Sequence, residues 1–387
     1  MSEERRGAMR PGDQTIFDRS PATLSTHFHY WGRVEAPPMH SPLYTELSYG
    51  VATDADLLKI AAHTGPAQPA PNNLFAGVQY LLLQGADHSL RRHYPVLSGS
   101  ERPMEPAFPE FRDFCLAHRA ELEVLVAERR TQTNAVRRSA ALRPAFAVLA
   151  QEEARSLALI EVGTSAGLNL LWDHYRIEYQ MRSGRNQIAG PQDSTVHIHA
   201  DADGPLPDVG ASVPVSSRMG IDTNPIDIDD KDAICWLHAL IFPEHVERYG
   251  WLDRALEIAR EHRPRVVAAD VIDVIEGEIE ACPSDAIPVV FATLVLYQFP
   301  KDALERFLGA LDRAARKRSF WMLSMEPDGA GSCDLMAIRF AAGRRVVRKL
   351  ADVHPHGWSI VWSDEKDVGG SVGGDARGLW DLVPATT

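Results

Sequence analysis

Residues 157–175 read LALIEVGTSAGLNLLWDHY, and the fold is decided here. Leu157 to Ile160 is an unbroken apolar run ending in Glu161-Val162. The small-residue turn Gly163-Thr164-Ser165-Ala166-Gly167 follows, and then Leu168, Leu171, Trp172 and Tyr175 recur at helical spacing. An apolar run of strand length, a turn and a 3.6-residue period predict strand, tight turn and helix, with a carboxylate at the strand exit. Two chemistries fit that unit: a nucleotide-type cofactor site, or a serine nucleophile.

Outward from it, the two flanks differ in kind. From Ile16 to about Ala150 the pattern is helical and broken by proline, with no convincing strand. Helices are expected at Pro21–Tyr30, from Ser41-Pro42, from Asp54 through Ala62, and from Asn72-Asn73 through the apolar face Leu74, Val78, Leu81 and Leu82. The stretch SGSERPMEPAFPEF reads as a loop. Long helices are expected from Phe111 to about Arg130 and from about Thr131 to Leu149.

After the central unit, strands and helices alternate. RIEYQMRSG and STVHIHADADG read as two alternating strands around a glycine-containing loop, an inserted hairpin over about 176–215. Further strands are expected at Ser216–Asp222, Arg265–Ala269, Ile287–Thr293 and Ser319–Met325. Helices are expected at Asp230–Ile241, Pro243–Glu261 and Asp302–Arg316, and late strands at Met336–Phe340, Arg345–Leu350 and Trp358–Trp362. This alternation predicts an α/β fold with a mostly parallel, doubly wound sheet covered on both faces, preceded by an all-helical domain. The expected division is a flexible tail at 1–15, a helical domain at 16–150, the sheet domain at 151–365 and a glycine-rich tail at 366–387, in which Leu379 and Trp380 could dock.

Composition narrows the function. The chain has 387 residues, 45% hydrophobic and 24% charged, with a net charge of -13. Such an acidic balance argues against non-specific nucleic-acid binding, which needs a basic surface. Arg129, Arg130, Arg137 and Arg138 form a local basic cluster suited to an acidic small molecule. Cys115, Cys235, Cys282 and Cys333 are far apart, without zinc-type spacing, so no metal is expected and reduced thiols are. The charged start lacks a signal-peptide core, and no apolar run spans a bilayer. The expectation is a cytoplasmic protein without a membrane partner; the sequence is silent on oligomeric state.

Three predicted strands end in an acid: Glu161, Asp222 and Asp270. Ligands of such sheets sit at the carboxyl ends of the strands, near the switch in strand order. Strand-end acids there suit hydroxyls and amines of a polar ligand, while each alone could equally cap a helix or start a turn.

Glu161-Val162-Gly163-Thr164-Ser165-Ala166-Gly167 resembles the first motif of class I S-adenosylmethionine-dependent methyltransferases. The resemblance implies a Rossmann-like fold over about Leu157 to Trp362, with the turn under the cofactor's methionine and ribose. It implies that Asp222, in GIDTNP, holds the ribose hydroxyls and that Asp270, in VVAAD, holds the adenine amine. VVFATLVLYQFP resembles the motif whose end lies beside the methyl group. The implied cofactor residues are Glu161, Gly163, Thr164, Ser165, Gly167, Asn169, Asp222, Asp270, Val271 and Thr293. RRTQTNAVRR, EVGTSAGLNLL, RMGIDTNP and HPHGW together are similar to the bacterial domain of unknown function 2332 family, a methyltransferase-like family without an established reaction.

Two departures stand out. Ser165 replaces a glycine, which requires it to avoid a left-handed backbone costing about 1–2 kcal/mol. The spacing from turn to Asp222 is long and requires the insertion; without it, Asp201 or Asp203 would be the ribose acid. For an acceptor, Thr131, Gln132, Asn134 and Arg138 on the expected helix, with Tyr297, are the substrate candidates, and Tyr297 and Asn134 the catalytic ones.

The same turn also fits G-x-S-x-G, with Ser165 as nucleophile, Asp302 or Asp328 as acid and His354 or His356 as base. An α/β-hydrolase needs strands before its elbow, and none is expected upstream of Leu157. A dinucleotide is disfavoured because Glu161 would face its pyrophosphate. A methyltransferase acting on an anionic small molecule is the preferred expectation. A non-catalytic cofactor-binding or regulatory protein of the same fold is the alternative.

Overall fold

The computed structural model describes residues 18–342 and 344–365; the two predicted tails, with Leu379 and Trp380, lie outside them. In chain order, α1 (Pro21–Tyr30), α2 (Pro42–Thr53), α3 (Ala55–Ala61), α4 (Ala70–Leu83), α5 (Pro95–Ser98), α6 (Phe108–Ala117) and α7 (Arg119–Glu128) come first. Then come α8 (Ser139–Glu153) and β1 (Leu157–Val162), the first strand among the described residues. β2 (Arg176–Met181), β3 (Gln187–Ala189), β4 (His197–Asp203) and β5 (Val215–Asp222) follow. Next are α9 (Lys231–Ala239), α10 (Val246–His262), β6 (Arg265–Ala268), α11 (Val271–Ala281), β7 (Ile287–Thr293) and α12 (Lys301–Lys317). The chain closes with β8 (Phe320–Pro327), β9 (Cys333–Ala341), β10 (Arg344–Val353) and β11 (Ser359–Glu365).

Two compact units emerge: residues 1–133 with 229–252, and 134–228 with 253–387. The sequence alone drew its boundary near residue 150.

The first unit is helical. Ser20 and Ser41 cap α1 and α2 with proline in the first turn, the start signal read from the sequence. An aromatic cluster fills its core, with Tyr44 stacked on Phe75 at 4.7 Å and Trp31 stacked on Phe242 at 5.7 Å. The single helix expected over Phe111–Arg130 is two, broken at His118, whose φ of -104° and ψ of 23° leave the helical region. The helix expected from Thr131 does not begin there. Residues 129–135 form neither helix nor strand, a 3-10 turn covers Val136–Arg138, and α8 starts only at Ser139. Side chains take the backbone partners a helix would have used: Gln68 Oε1 accepts the Thr131 N–H at 2.7 Å, and Trp236 Nε1 donates to the Arg130 carbonyl at 2.8 Å.

The second unit holds one 11-stranded sheet, in the order β3-β2-β4-β11-β10-β9-β8-β7-β1-β5-β6. Six of its ten ladders are parallel. The run β6-β5-β1-β7-β8 is wholly parallel, and its order of appearance is 3-2-1-4-5. Chain order reverses at β1, so β1 is the switch strand of a doubly wound sheet. All six β1 residues are buried, as a strand covered on both faces requires. On one face, α11 and α12 pack Ile275, Ile279, Phe307 and Leu311 against Ile160, Val290 and Met322. On the other, Phe146 of α8 meets Phe291 edge-on at 5.4 Å and stacks on Trp172 at 4.9 Å.

The insertion departs from the expected hairpin. β2 and β4 run parallel, β3 pairs antiparallel to β2 between them in sequence, and β4 joins β11 in parallel. Thus 176–203 extends the main sheet at the edge opposite β6. Alternation explains the confusion, because β2 and β4 both bury every second residue, a pattern that fits either strand direction.

Candidate functional site

β1 ends in a turn of unusual backbone: Gly163, Ser165 and Gly167 all have positive φ, at +68°, +55° and +75°. The turn is tied to the neighbouring strand, since the N–H groups of Gly163 and Thr164 both donate to Ile221 O, at 2.8 and 3.3 Å. Gly163 is required twice over, by its φ and because a Cβ there would collide with the Val295 methyls beyond β7. Gly220 of β5 is bare for a related reason, since Thr164 lies against it. Ser165 does not escape the left-handed region, contrary to the sequence expectation. Its N–H donates to Asp222 Oδ2 at 2.9 Å, which offsets the strain, and its Oγ is buried without a hydrogen-bond partner.

The strand-end acids separate into types. Glu161 is buried on the α8 face and accepts the Thr164 hydroxyl at 2.6 Å. Burial pushes its carboxyl up to about 8, while the Thr164 hydroxyl, the nearby Asn169 amide and the Arg138 charge pull the other way. Asp222 accepts two backbone N–H groups, from Ser165 at 2.9 Å and Asn224 at 2.8 Å. Asp270 is exposed and caps α11 through the Ile272 N–H at 2.9 Å, with buried Val271 opening the helix.

A fourth strand-end acid escaped the sequence reading. Glu326, at the end of β8, is buried and accepts the N–H groups of Val295, Leu296 and Tyr297 at 3.2, 3.1 and 3.2 Å. Burial raises its carboxyl to about 7 against those three bonds. The signal was present in SFWMLSMEP, an apolar strand closing on an acid as LALIE does. These bonds place Tyr297, 37% exposed, beside Glu326.

Asn134 and Arg138 reach the same strand ends. Asn134 Oδ1 accepts the Leu168 N–H at 3.0 Å, directly after Gly167. Arg138 is buried; its Nη1 donates to Thr293 O at 3.1 Å and Oγ1 at 3.4 Å, and its Nε to Pro355 O at 3.1 Å. Burial lowers its pKa, and the charges of Glu326 and Glu161 work against that. Ser139 donates to Asn169 Oδ1 at 3.3 Å, so Asn169 belongs to this cluster. The HPHGW turn backs it. Gly357, at φ +73°, lies against the Arg137 carbonyl, and Trp358 stacks on His354 at 4.8 Å with Arg137 5.6 Å from its ring centroid.

The remaining candidates have other partners. Thr131 is taken up within the helical unit, its hydroxyl donating to Asn73 Oδ1 at 2.5 Å. Gln132 belongs to that unit too, in the irregular segment, so the helix face meant to gather Gln132, Asn134 and Arg138 does not exist. Asp201 and Asp203 sit on β4, separated from β1 by β11, β10, β9, β8 and β7, and Asp203 pairs with Arg182 at 3.2 Å. Asp302 is in the first turn of α12, and Asp328 holds the Ala330 and Ser332 N–H groups in the β8–β9 turn. All four cysteines are free thiols, and among the described residues no cluster of His, Cys, Asp and Glu could hold a metal ion. No helix among them is long and apolar enough to cross a membrane.

The chain belongs to the family described as "Uncharacterized protein conserved in bacteria (DUF2332)", whose match covers residues 27–362. No curated protein and no solved structure matches it.

Proposed function

We propose that this member of the family binds S-adenosylmethionine across the ends of β1, β5, β6 and β7 and transfers its methyl group to an anionic small molecule. The observation that carries the reading is the left-handed turn Gly163–Gly167 on the switch strand of a 3-2-1-4-5 parallel sheet, with Asp222 closing the adjacent strand. Doubly wound sheets place ligands at that point. The residues fit the group: the buried Ser165 Oγ lacks a hydrogen-bond partner, and half-buried Asp222 is held beside it through the Ser165 N–H. Asp222 would hold the ribose hydroxyls, Asp270 the adenine amine, and Gly163, Thr164, Gly167, Asn169, Val271 and Thr293 would line the cradle.

The cofactor, when bound, supplies an electrophilic methyl group on a sulfonium. The chain's part is positioning, which can contribute several kcal/mol without a dedicated base. Glu161, whose pKa burial raises to about 8, carries less negative charge beneath the turn than an exposed carboxylate would. Tyr297, Asn134 and Arg138 would orient the acceptor.

Calorimetry with S-adenosylmethionine and S-adenosylhomocysteine tests the reading. Asp222→Ala should weaken binding by about 1.5–3 kcal/mol, the worth of hydrogen bonds to a charged group. Absence of binding by the folded wild type at high micromolar ligand would overturn it. Binding without turnover on any acceptor would leave the non-catalytic alternative. The hydrolase alternative rests on Ser165, whose Oγ hydrogen-bonds no base; stoichiometric labelling of Ser165 by a fluorophosphonate would favour it over methyl transfer.

A further inference from the structure

We propose that Arg138 anchors a planar oxyanion, a carboxylate, on the acceptor molecule. Arg138 is 6% exposed, and its bonds take up Nε, donating to Pro355 O, and Nη1, donating to Thr293 O and Oγ1. Among the described residues no acceptor bonds Nη2, and no carboxylate lies within ion-pair distance of the group. Neutral carbonyls fix the plane of the side chain but leave its charge uncompensated. Burying a guanidinium in that state costs several kcal/mol, and structures retain such a group where a counter-ion completes it. The nearest acids do not serve well: Glu161 is engaged by Thr164, and Glu326 by three backbone N–H groups. A guanidinium held in a fixed plane with both Nη2 N–H groups unused can donate charge-assisted hydrogen bonds to a carboxylate from a fixed direction, which a flexible lysine could not set.

The position selects the acceptor rather than the cofactor as its source, and here the inference rests on the cofactor reading above. Arg138 is bonded at the end of β7 and shares its surroundings with Tyr297 and Glu326 of the β7–β8 side. The proposed ribose and adenine contacts, Asp222 and Asp270, follow β5 and β6 on the other side of β1. The HPHGW turn acquires a purpose as well, since Pro355 O fixes Nε and Gly357 lets the turn approach the Arg137–Arg138 backbone.

The anchor is tested on the full chain with malonate as the probe, against sodium chloride of equal ionic strength. Wild type should unfold about 2–4 °C higher in malonate than Arg138→Gln does relative to its own chloride control. Arg138→Lys, which keeps the charge should the Gln variant not fold, should lose most of that excess. An excess equal in wild type and both variants is a general salt effect and overturns the anchor. A second arm decides the source. Affinity of Arg138→Lys for S-adenosylhomocysteine should stay within about twofold of wild type. A tenfold or greater loss for S-adenosylhomocysteine, with none for methylthioadenosine, would assign Arg138 to the cofactor's amino-acid end and overturn the acceptor assignment. If wild type binds neither nucleoside, the cofactor reading fails while the malonate arm still decides the anchor.

Discussion

Glu161 and Asp270 each stand at the carboxyl end of a parallel strand of one sheet, yet the chain treats the two carboxyls in opposite ways. Glu161 leaves a central strand whose six residues are all buried, and its carboxyl is enclosed and pushed up to about 8. Asp270 leaves the edge strand β6, stays exposed, and spends its carboxylate on the first turn of α11. Asp222 stands between them, half-buried and bonded to two backbone N–H groups. Position in the sheet therefore sets what an acid at a strand end can do. In the middle it becomes a proton holder, at the edge a helix cap.

The comparison can be broken most forcefully at the turn itself. Gly163→Ala adds a methyl against Val295 at φ +68° and should cost about 3 kcal/mol, combining backbone strain and overpacking. Adding Val295→Ala should return only the overpacking part, which urea denaturation of the double mutant would measure. Full rescue would mean that the left-handed backbone carries no cost.

Next in size is the titration of Glu161. Its folded pKa is raised from 4.5, so the folded state holds the proton more tightly than the unfolded chain. Stability from this group is complete below about 4.5 and is lost as pH climbs to about 8. Glu161→Gln should therefore gain on wild type by about 3 kcal/mol between pH 5 and pH 8 in denaturant midpoints. A constant difference across that range would show that Glu161 is not enclosed as described.

Ser165→Gly should stabilise the fold by about 1 kcal/mol by relieving the +55° backbone, and loss of its unpartnered Oγ should lower cofactor affinity only slightly. The smallest effect belongs to Asp270. Asp270→Ser keeps a capping oxygen, so stability should stay within about 0.5 kcal/mol of wild type. Affinity for S-adenosylhomocysteine should nevertheless fall; unchanged affinity would reduce Asp270 to a cap.

Much of this arrangement was legible in the sequence. β7 runs over Ile287–Thr293 as read, because a fully buried parallel strand is a continuous apolar run. α1 covers Pro21–Tyr30 as read, because serine and proline announce a helix start locally. What escaped notice depends on partners distant in sequence. Residues 131–135 look helical by spacing, but Gln68 and Trp236 take up the Thr131 N–H and the Arg130 carbonyl and the stretch stays irregular. The direction of β4 is decided by β11, far along the chain. Ser165 has an ordinary side chain, and only Asp222 explains its backbone. In the site, the turn and its three acids were visible as a pattern, while Glu326 and the Arg138 bonds needed the folded strand ends.

The pairing of β4 with β11 has a consequence for how the protein is made. β2, β3 and β4 leave the ribosome early, but the strand that covers β4 spans Ser359–Glu365 and is among the last described segments synthesised. Until then the ribbon presents an open edge, the kind of surface that recruits other chains. The outward positions of β4 are His197, His199 and Asp201, all exposed, and such polar side chains discourage that recruitment during the wait. A chain stopped before Ser359 would keep the turn after β1 and the sequence of every proposed cofactor contact, yet would be expected to aggregate through β4.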